Sequence, residues 1–311
     1  MSEYDAIIVG GGPAGLSAAL ILGRCRRRVL LCDAGKQRNL SSHGMHGYLT
    51  RDGITPAEFL KIANAEIARY GVEVRRCMVK SGAKTDRNFE VVLEDDSRHF
   101  ARRLLIATGV TDQLPAIGNV EDFYGVSVHH CPYCDGWEHR DGRVAVYSKK
   151  PGLAFSMTTW SRDVVWLSDG PVRISITDRE ALKRRGILWR KDKIIRLEGA
   201  GKRLQRVIFE NGGPLERDAL FFSTGQHQTC DLALGFGCIL NNKGTVDTDR
   251  WEMSGVPGLY VAGDASRDVQ MVIVAAAEGV KAAFAINMSL QKEDEIASPA
   301  PHPSERNRRE S

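Results

Sequence analysis

The chain lacks a dominant charge of either sign: 43 lysines and arginines against 39 aspartates and glutamates leave a formal net charge of +4 over 311 residues. The basic residues are scattered and no aromatic stripe runs among them, so no nucleic-acid partner is expected. The densest group, Arg24, Arg26, Arg27 and Arg28, falls where a first helix should end, a place where cations complement the helix dipole. No apolar run is expected to reach bilayer-spanning length, so no membrane partner is expected either. The acidic start, Met1-Ser2-Glu3-Tyr4-Asp5, does not have the form of a signal peptide. No repeat of solenoid type recurs. Cysteine is present but not as a framework: seven residues, an odd number and widely spaced, argue against a secreted disulfide scaffold. The expected setting is a reducing cytoplasm, where a Cys-x-x-Cys is catalytic or metal-binding rather than structural.

What is present is an ordinary globular composition, 42% apolar and 26% charged, with 31 glycines, several of them in spaced motifs. The length admits one large α/β domain or two of moderate size. Residues 5–9 read as a buried strand, followed by Gly10-Gly11-Gly12-Pro13-Ala14-Gly15, a helix over about 13–24 and a second strand over 29–32 ending at Asp33. This is a βαβ unit with a dinucleotide turn: Gly10 permits the tight turn, Gly12 lets the backbone approach a pyrophosphate, and Gly15 permits close helix-to-strand packing. The helix N-terminus offers N–H groups to phosphate, and Asp33 is placed to accept from ribose hydroxyls. A helix is expected over about 55–70, and strands over 72–75, 89–93 and 103–106. A break near Leu114-Pro115-Ala116-Ile117-Gly118 marks a crossover. Beyond it, strands are expected at 143–147, 164–167, 172–176 and 207–209. A return to the first domain should bring a strand at 259–262 and a helix over about 269–290.

Cys131-Pro132-Tyr133-Cys134-Asp135-Gly136 is the most informative segment. Two cysteines at this spacing close a small ring and cycle between dithiol and disulfide. Asp135 is suitably placed to move protons during thiolate exchange if it faces the sulfurs. The rival is zinc, for which His129, His130, Cys131 and Cys134 offer the right atoms. No second pair accompanies them, however, and adjacent histidines point in different directions, so no metal is expected. Cys25, Cys32, Cys77, Cys230 and Cys238 sit singly in apolar contexts and read as small core residues.

Gly258-Leu259-Tyr260-Val261-Ala262-Gly263-Asp264 resembles the second flavin motif of two-dinucleotide-domain flavoproteins, and Ala107-Thr108-Gly109 resembles their Ala-Thr-Gly turn. With the cysteine motif between them, residues 4–291 resemble the low-molecular-weight thioredoxin reductase family. The resemblance implies an α/β fold of two Rossmann-like domains, the second inserted into the first, as three-layer sandwiches. Residues 1–115 and 244–292 would bind FAD, residues 116–243 would form the inserted domain, and residues 293–311, rich in Pro, Ser, Glu and Arg, should be a disordered tail. Carried over by position, Cys134 faces the flavin, Cys131 exchanges with substrate, Asp135 is the acid/base, and Asp264 with Gln270 touches the flavin. His43, His46 and Gly47 fall in the loop that runs near the isoalloxazine in the family. Histidines there either tune the flavin, shuttle protons or serve as plain loop residues. The resemblance also implies a homodimer and a small dithiol or disulfide, or a thioredoxin-like protein, as partner.

The chain departs from that family in the inserted domain. Where NADPH-binding members carry a second glycine turn, the strand at 143–147 runs into Ser148-Lys149-Lys150-Pro151-Gly152. Side chains at those positions occupy pyrophosphate space. Asp169 stands where a basic cluster for a 2′-phosphate is expected, and Lys149 and Lys150 read as solvated surface charges. The wording resembles the pyridine-nucleotide-independent branch, which includes dithiol oxidases passing electrons through FAD to oxygen and reductases fed by an electron-donor protein. A conventional NADPH-dependent reductase and a non-enzymatic flavin/thiol redox sensor are the alternatives.

Overall fold

The computed structural model describes residues 4–86, 88–267 and 269–297. The chain divides into two compact units. The first holds the residues up to Gln37, then Leu60–Gly109, then those from Gln228 onward; the second holds Arg38–Phe59 and Val110–His227.

In the first unit, strands Glu73–Arg75, Val29–Cys32, Tyr4–Val9 and Arg98–Ile106 lie side by side in parallel. The long strand Arg98–Ile106 divides its free edge. Its first half pairs antiparallel with Phe89–Leu93, and its second half pairs in parallel with Leu259–Val261. Tyr4–Val9 is buried almost throughout, as a strand covered on both faces must be. One face is covered by the helices Pro13–Arg24 and Val272–Ala297, where small residues such as Ala14, Ala18, Ala19, Ala275 and Ala282 permit close packing. The other face carries Cys32, Phe89, Leu93, Leu232, Ala233 and Cys238. The register aligns Val9 with both Cys32 and Ile106, and Ile106 with Val261. Four strands therefore end at one level, and Gly10, Asp33, Ala107 and Gly263 follow at the same carboxyl edge, where open α/β sheets bind ligands.

In the second unit, five parallel strands run in the order Leu188–Arg190, Asp163–Leu167, Arg143–Ser148, Ala219–Ser223 and Val128–His129. An antiparallel layer of Ile194–Ala200, Arg203–Phe209 and Leu215–Glu216 packs on one face through Leu197, Val207, Leu220 and Phe222. The helices Gly152–Met157 and Ile176–Arg184 pack on the other, around the fully buried Trp166. Each unit is thus a mixed α/β layered fold of the expected class.

Several expectations differ from the structure. Residues 172–175 form no strand, and Ile176 opens a helix instead. Ser175 accepts the Asp178 N–H at 2.9 Å as an N-cap, a local bond that outweighs the β-branched composition. The unit limits fall at Gly109 and His227 rather than at 115 and 243, and 38–59 joins the second unit. Leu232, Ala233 and Cys238 bury their side chains in the first unit's core, and the Gln228 amide donates to the carbonyls of Gly244 and Ala265. Residues 293–297, expected to be disordered, continue the last helix because Glu293 and Asp294 pair with Arg102. Residues 298–311 lie outside the described residues. The expectation of no membrane-length apolar run fails at Val272–Ala297, which is long and apolar enough by length and composition alone. Its buried face, Ala275, Ala276, Ala282, Ala283, Ile286 and Leu290, belongs to the first unit's core. Among the single cysteines, Cys25 is exposed, Cys32 and Cys238 are buried, and Cys77 and Cys230 are half-buried.

Candidate active site

The dinucleotide turn of the first unit is built by close approach of backbone. Gly10 has φ +115°, and a Cβ there would run into the carbonyl of Ala107; a Cβ on Gly15 would run into the carbonyl of Gly10. Gly12 differs, since an added Cβ would meet nothing within 4 Å. It is the N-cap of helix Pro13–Arg24, with no side-chain cap and no acidic residue in the first turn. The positive end of that helix therefore opens onto unfilled space, the arrangement an anionic pyrophosphate needs.

Asp33, 3% exposed, accepts the Gly35 N–H at 2.9 Å and the Gln37 amide at 2.8 Å, and pairs with Arg76 through its other oxygen. Ala107-Thr108-Gly109 follows the strand end directly, with Gly109 at φ +67°. Asp264 lies in the tight turn Gly263–Ala265, and Gln270 precedes helix Val272–Ala297 by two residues. A carboxylate unforeseen from sequence supports this turn: Glu278 Oε2 accepts the Gly263 N–H at 2.9 Å. Burial first, and then the neighbouring Glu252 carboxylate, push Glu278 up to about 7. Gly279 lies against the backbone of Ala14, joining the two helices that flank the turn. The cradle fits FAD: glycines where backbone must approach, an uncapped helix start, and acids at two strand ends.

In the second unit, Cys131 and Cys134 form a disulfide, with Cα atoms 5.3 Å apart. Cys131 is the N-cap of the short helix Pro132–Asp135, its sulfur accepting the Cys134 N–H at 3.1 Å. The two preceding histidines meet different partners. His129 Nδ1 lies 3.3 Å from Asp135 Oδ1, and His129 Nε2 lies 2.9 Å from His139 Nε2. His130 Nδ1 lies 3.4 Å from Asp112 Oδ2. Asp112 also accepts from Arg38 Nε at 2.7 Å and from the Tyr124 hydroxyl at 2.6 Å. Burial works to raise the Asp112 carboxyl, but Arg38, His130 and Tyr124 together hold it below the usual range. Burial, then Arg38, push His130 down to about 4. Among the described residues no group of three or more His, Cys, Asp or Glu is arranged to hold a metal ion.

Of the loop residues, His46 approaches Glu138 at 3.4 Å and Asp52 at 3.7 Å, Gly47 donates its N–H to Asp52 at 2.8 Å, and His43 is exposed. Asp112, Tyr124, Arg38 and His139 carry no motif that sequence reading could have used; only the tertiary fold brings them to His129 and His130.

At the strand ends of the second unit Lys149 is exposed, as a surface charge should be, and it donates to the carbonyls of Ser168 at 2.8 Å and Asp169 at 3.0 Å, because the Arg143–Ser148 and Asp163–Leu167 strands end side by side. Ser148 accepts the Trp166 indole N–H through its hydroxyl at 3.1 Å and donates to the Lys150 carbonyl at 2.7 Å. Asp169 accepts from the Ile194 N–H at 2.8 Å and the Tyr147 hydroxyl at 3.2 Å.

Comparison with known proteins accords with this geometry. The family model described as pyridine nucleotide-disulphide oxidoreductase matches residues 4–149 and 168–279. A probable thioredoxin reductase of Arthroderma benhamiae is 31% identical, over 94% of this chain and 81% of its own. The crystal structure of a putative thioredoxin reductase TrxB from Bacillus anthracis superposes with a TM-score of 0.89 at 34% identity, covering 94% of this chain and 99% of that one. The structure of HlmI gives the same TM-score and identity, covering 94% of each chain.

Proposed function

Because the chain belongs to the pyridine nucleotide-disulphide oxidoreductase family as a thioredoxin reductase-like FAD enzyme, we propose that it is a dithiol/disulfide oxidoreductase that works through Cys131 and Cys134 without NADPH. FAD, when bound, supplies the two-electron partner of the cysteine pair, with electrons passing on to oxygen in an oxidase or arriving from a donor protein in a reductase. Gly10, Gly12, Pro13, Ala14 and Gly15 hold its pyrophosphate, Asp33 its ribose, and Ala107, Thr108, Gly109, Gly263, Asp264 and Gln270 the flavin end. Cys131 exchanges with an external dithiol, disulfide or thioredoxin-like protein, Cys134 is the sulfur on the flavin side, and Asp135 moves the proton. The setting is the reducing cytoplasm and the assembly a homodimer.

The observation that carries the NADPH-independent reading is Lys149. Its ammonium joins two strand-end carbonyls in the crevice where a Rossmann fold places the adenosine of a nicotinamide dinucleotide. Ser148 and Lys150 add side chains where that turn needs bare backbone, and Asp169 would repel a 2′-phosphate.

The test is anaerobic stopped-flow mixing of the yellow protein with NADPH and, separately, with dithiothreitol. Bleaching by the dithiol and none by NADPH is expected. Rapid bleaching by NADPH would overturn the reading of the second unit. Recovery of colour in air identifies the oxidase, and its absence identifies the partner-fed reductase.

A further inference from the structure

The His129–His139 pair lies beside Asp135, and we propose that His129 and His139 are positioning residues for proton transfer at that carboxylate. His139 donates to His129 Nε2, which fixes the His129 proton on Nδ1, and that N–H orients Asp135 to take the proton of an incoming thiol. The proposal deepens the functional reading above and rests on Asp135 being the acid/base group of the cysteine pair.

Three observations carry it. His129 is 5% exposed, at the end of a strand whose register sets it beside Phe221, and the His129 ring packs on the Phe221 ring at 5.3 Å. It has no solvent to satisfy it and meets two partners, Asp135 Oδ1 at 3.3 Å and His139 Nε2 at 2.9 Å. Two ring nitrogens at 2.9 Å require one proton between them, so one of the pair donates and the other accepts. Which nitrogen of an imidazole holds its proton is set by the bond the other makes. An N–H from His139 at Nε2 leaves Nδ1 as the donor toward the carboxylate. Burial first, and then the neighbouring His129, push His139 down to about 4, which keeps it an uncharged ring at neutral pH. The remaining ionisable groups near the pair are His130, just past the strand end, and Asp218, which Arg143 holds at 2.8 Å.

In the step served, the thiol gives its proton to Asp135. Its sulfur, as thiolate, bonds to Cys131 Sγ, and the Cys131–Cys134 bond breaks with its electron pair leaving on Cys134. The return direction is the same step reversed.

The experiment follows opening of the Cys131–Cys134 disulfide in the holoenzyme by dithiothreitol between pH 5 and 9. Acid quench, alkylation and peptide mass spectrometry read the opening, and each variant is expressed as a ratio to wild type so that the ionisation of the reagent cancels. His129→Leu is expected to slow opening roughly 10- to 100-fold. His129→Gln, whose amide keeps a donor for Asp135, should recover most of the rate. His139→Phe, which keeps a ring on Phe221, should slow opening. His129→Leu at the wild-type rate, or His129→Gln as slow as His129→Leu, overturns the proposal; if His129→Leu does not fold, His129→Gln as fast as wild type with His139→Phe also at the wild-type rate overturns it. Failure of dithiothreitol to open the wild-type disulfide at any pH is a different result, and it refutes the dithiol reading itself.

Discussion

Glu278 accepts the backbone N–H of Gly263 at 2.9 Å, so a buried carboxyl on the last helix of the first unit holds the turn that carries Asp264. Its folded-state value, raised to about 7 by burial and then by Glu252, lies above its ordinary value of 4.5. The folded protein thus binds a proton there that the unfolded chain has released, and stability falls as pH rises between those values. Glu278→Gln keeps the acceptor and removes the charge. Urea unfolding at pH 5 and pH 8 should show the wild type losing roughly 1–3 kcal/mol more than the variant across that span. Equal losses would show that Glu278 stays ionised.

Gly12 and Gly15 should fail differently. A Cβ at Gly12, whose φ is −82°, meets no protein atom within 4 Å and stands in front of the helix start. Gly12→Val is expected to fold with near-native circular dichroism and to bind FAD at least ~10-fold more weakly, about 1.4 kcal/mol. Gly15→Val collides with the Gly10 backbone and should be destabilised or insoluble whether or not FAD is supplied. A yellow, tightly flavinated Gly12→Val protein would disprove the pyrophosphate assignment.

Asp112 gathers Arg38, Tyr124 and His130 in one partly buried cluster. Asp112→Asn leaves the guanidinium of Arg38 with a weaker partner. A loss of roughly 2–4 kcal/mol at pH 7 is expected in chemical denaturation. Because the Asp112 carboxyl is held below its ordinary value, its contribution is present above that value and is lost as pH falls through the lower, folded-state one. The difference between the two proteins should therefore shrink only in strong acid.

The two cysteines should be unequal. In Cys134→Ser the remaining Cys131 thiolate attacks an added aromatic disulfide, expels one thiolate and stays as a mixed disulfide with no neighbouring sulfur to resolve it. Intact-protein mass spectrometry should show stoichiometric trapping. Cys131→Ser should trap far more slowly if Cys134 is the shielded member. Equal rates would remove the assignment of roles.

The parts of this protein that were legible in its sequence are contiguous ones. The turn from Gly10 to Gly15, the helix Pro13–Arg24 and the strand Val29–Cys32 are specified by glycine placement, a proline at the helix start and an unbroken apolar run. The cysteine pair needs only a spacing of three. Residues 172–176 misled because a β-branched run looks like a strand until the cap at Ser175 is weighed. Asp33, at the end of its strand, was placed by counting alone.

Sequence by itself determined the first βαβ unit, its glycine turn and the spacing of the cysteine pair, since each depends on residues close along the chain, where local conformation decides the outcome. Tertiary structure decided which charges meet. His139 reaches His129, Asp112 reaches His130, Lys149 reaches the ends of a neighbouring strand, and Glu278 reaches back to Gly263. Those pairings follow from strand register and burial, which set distance and local dielectric together, and no one-dimensional pattern encodes either.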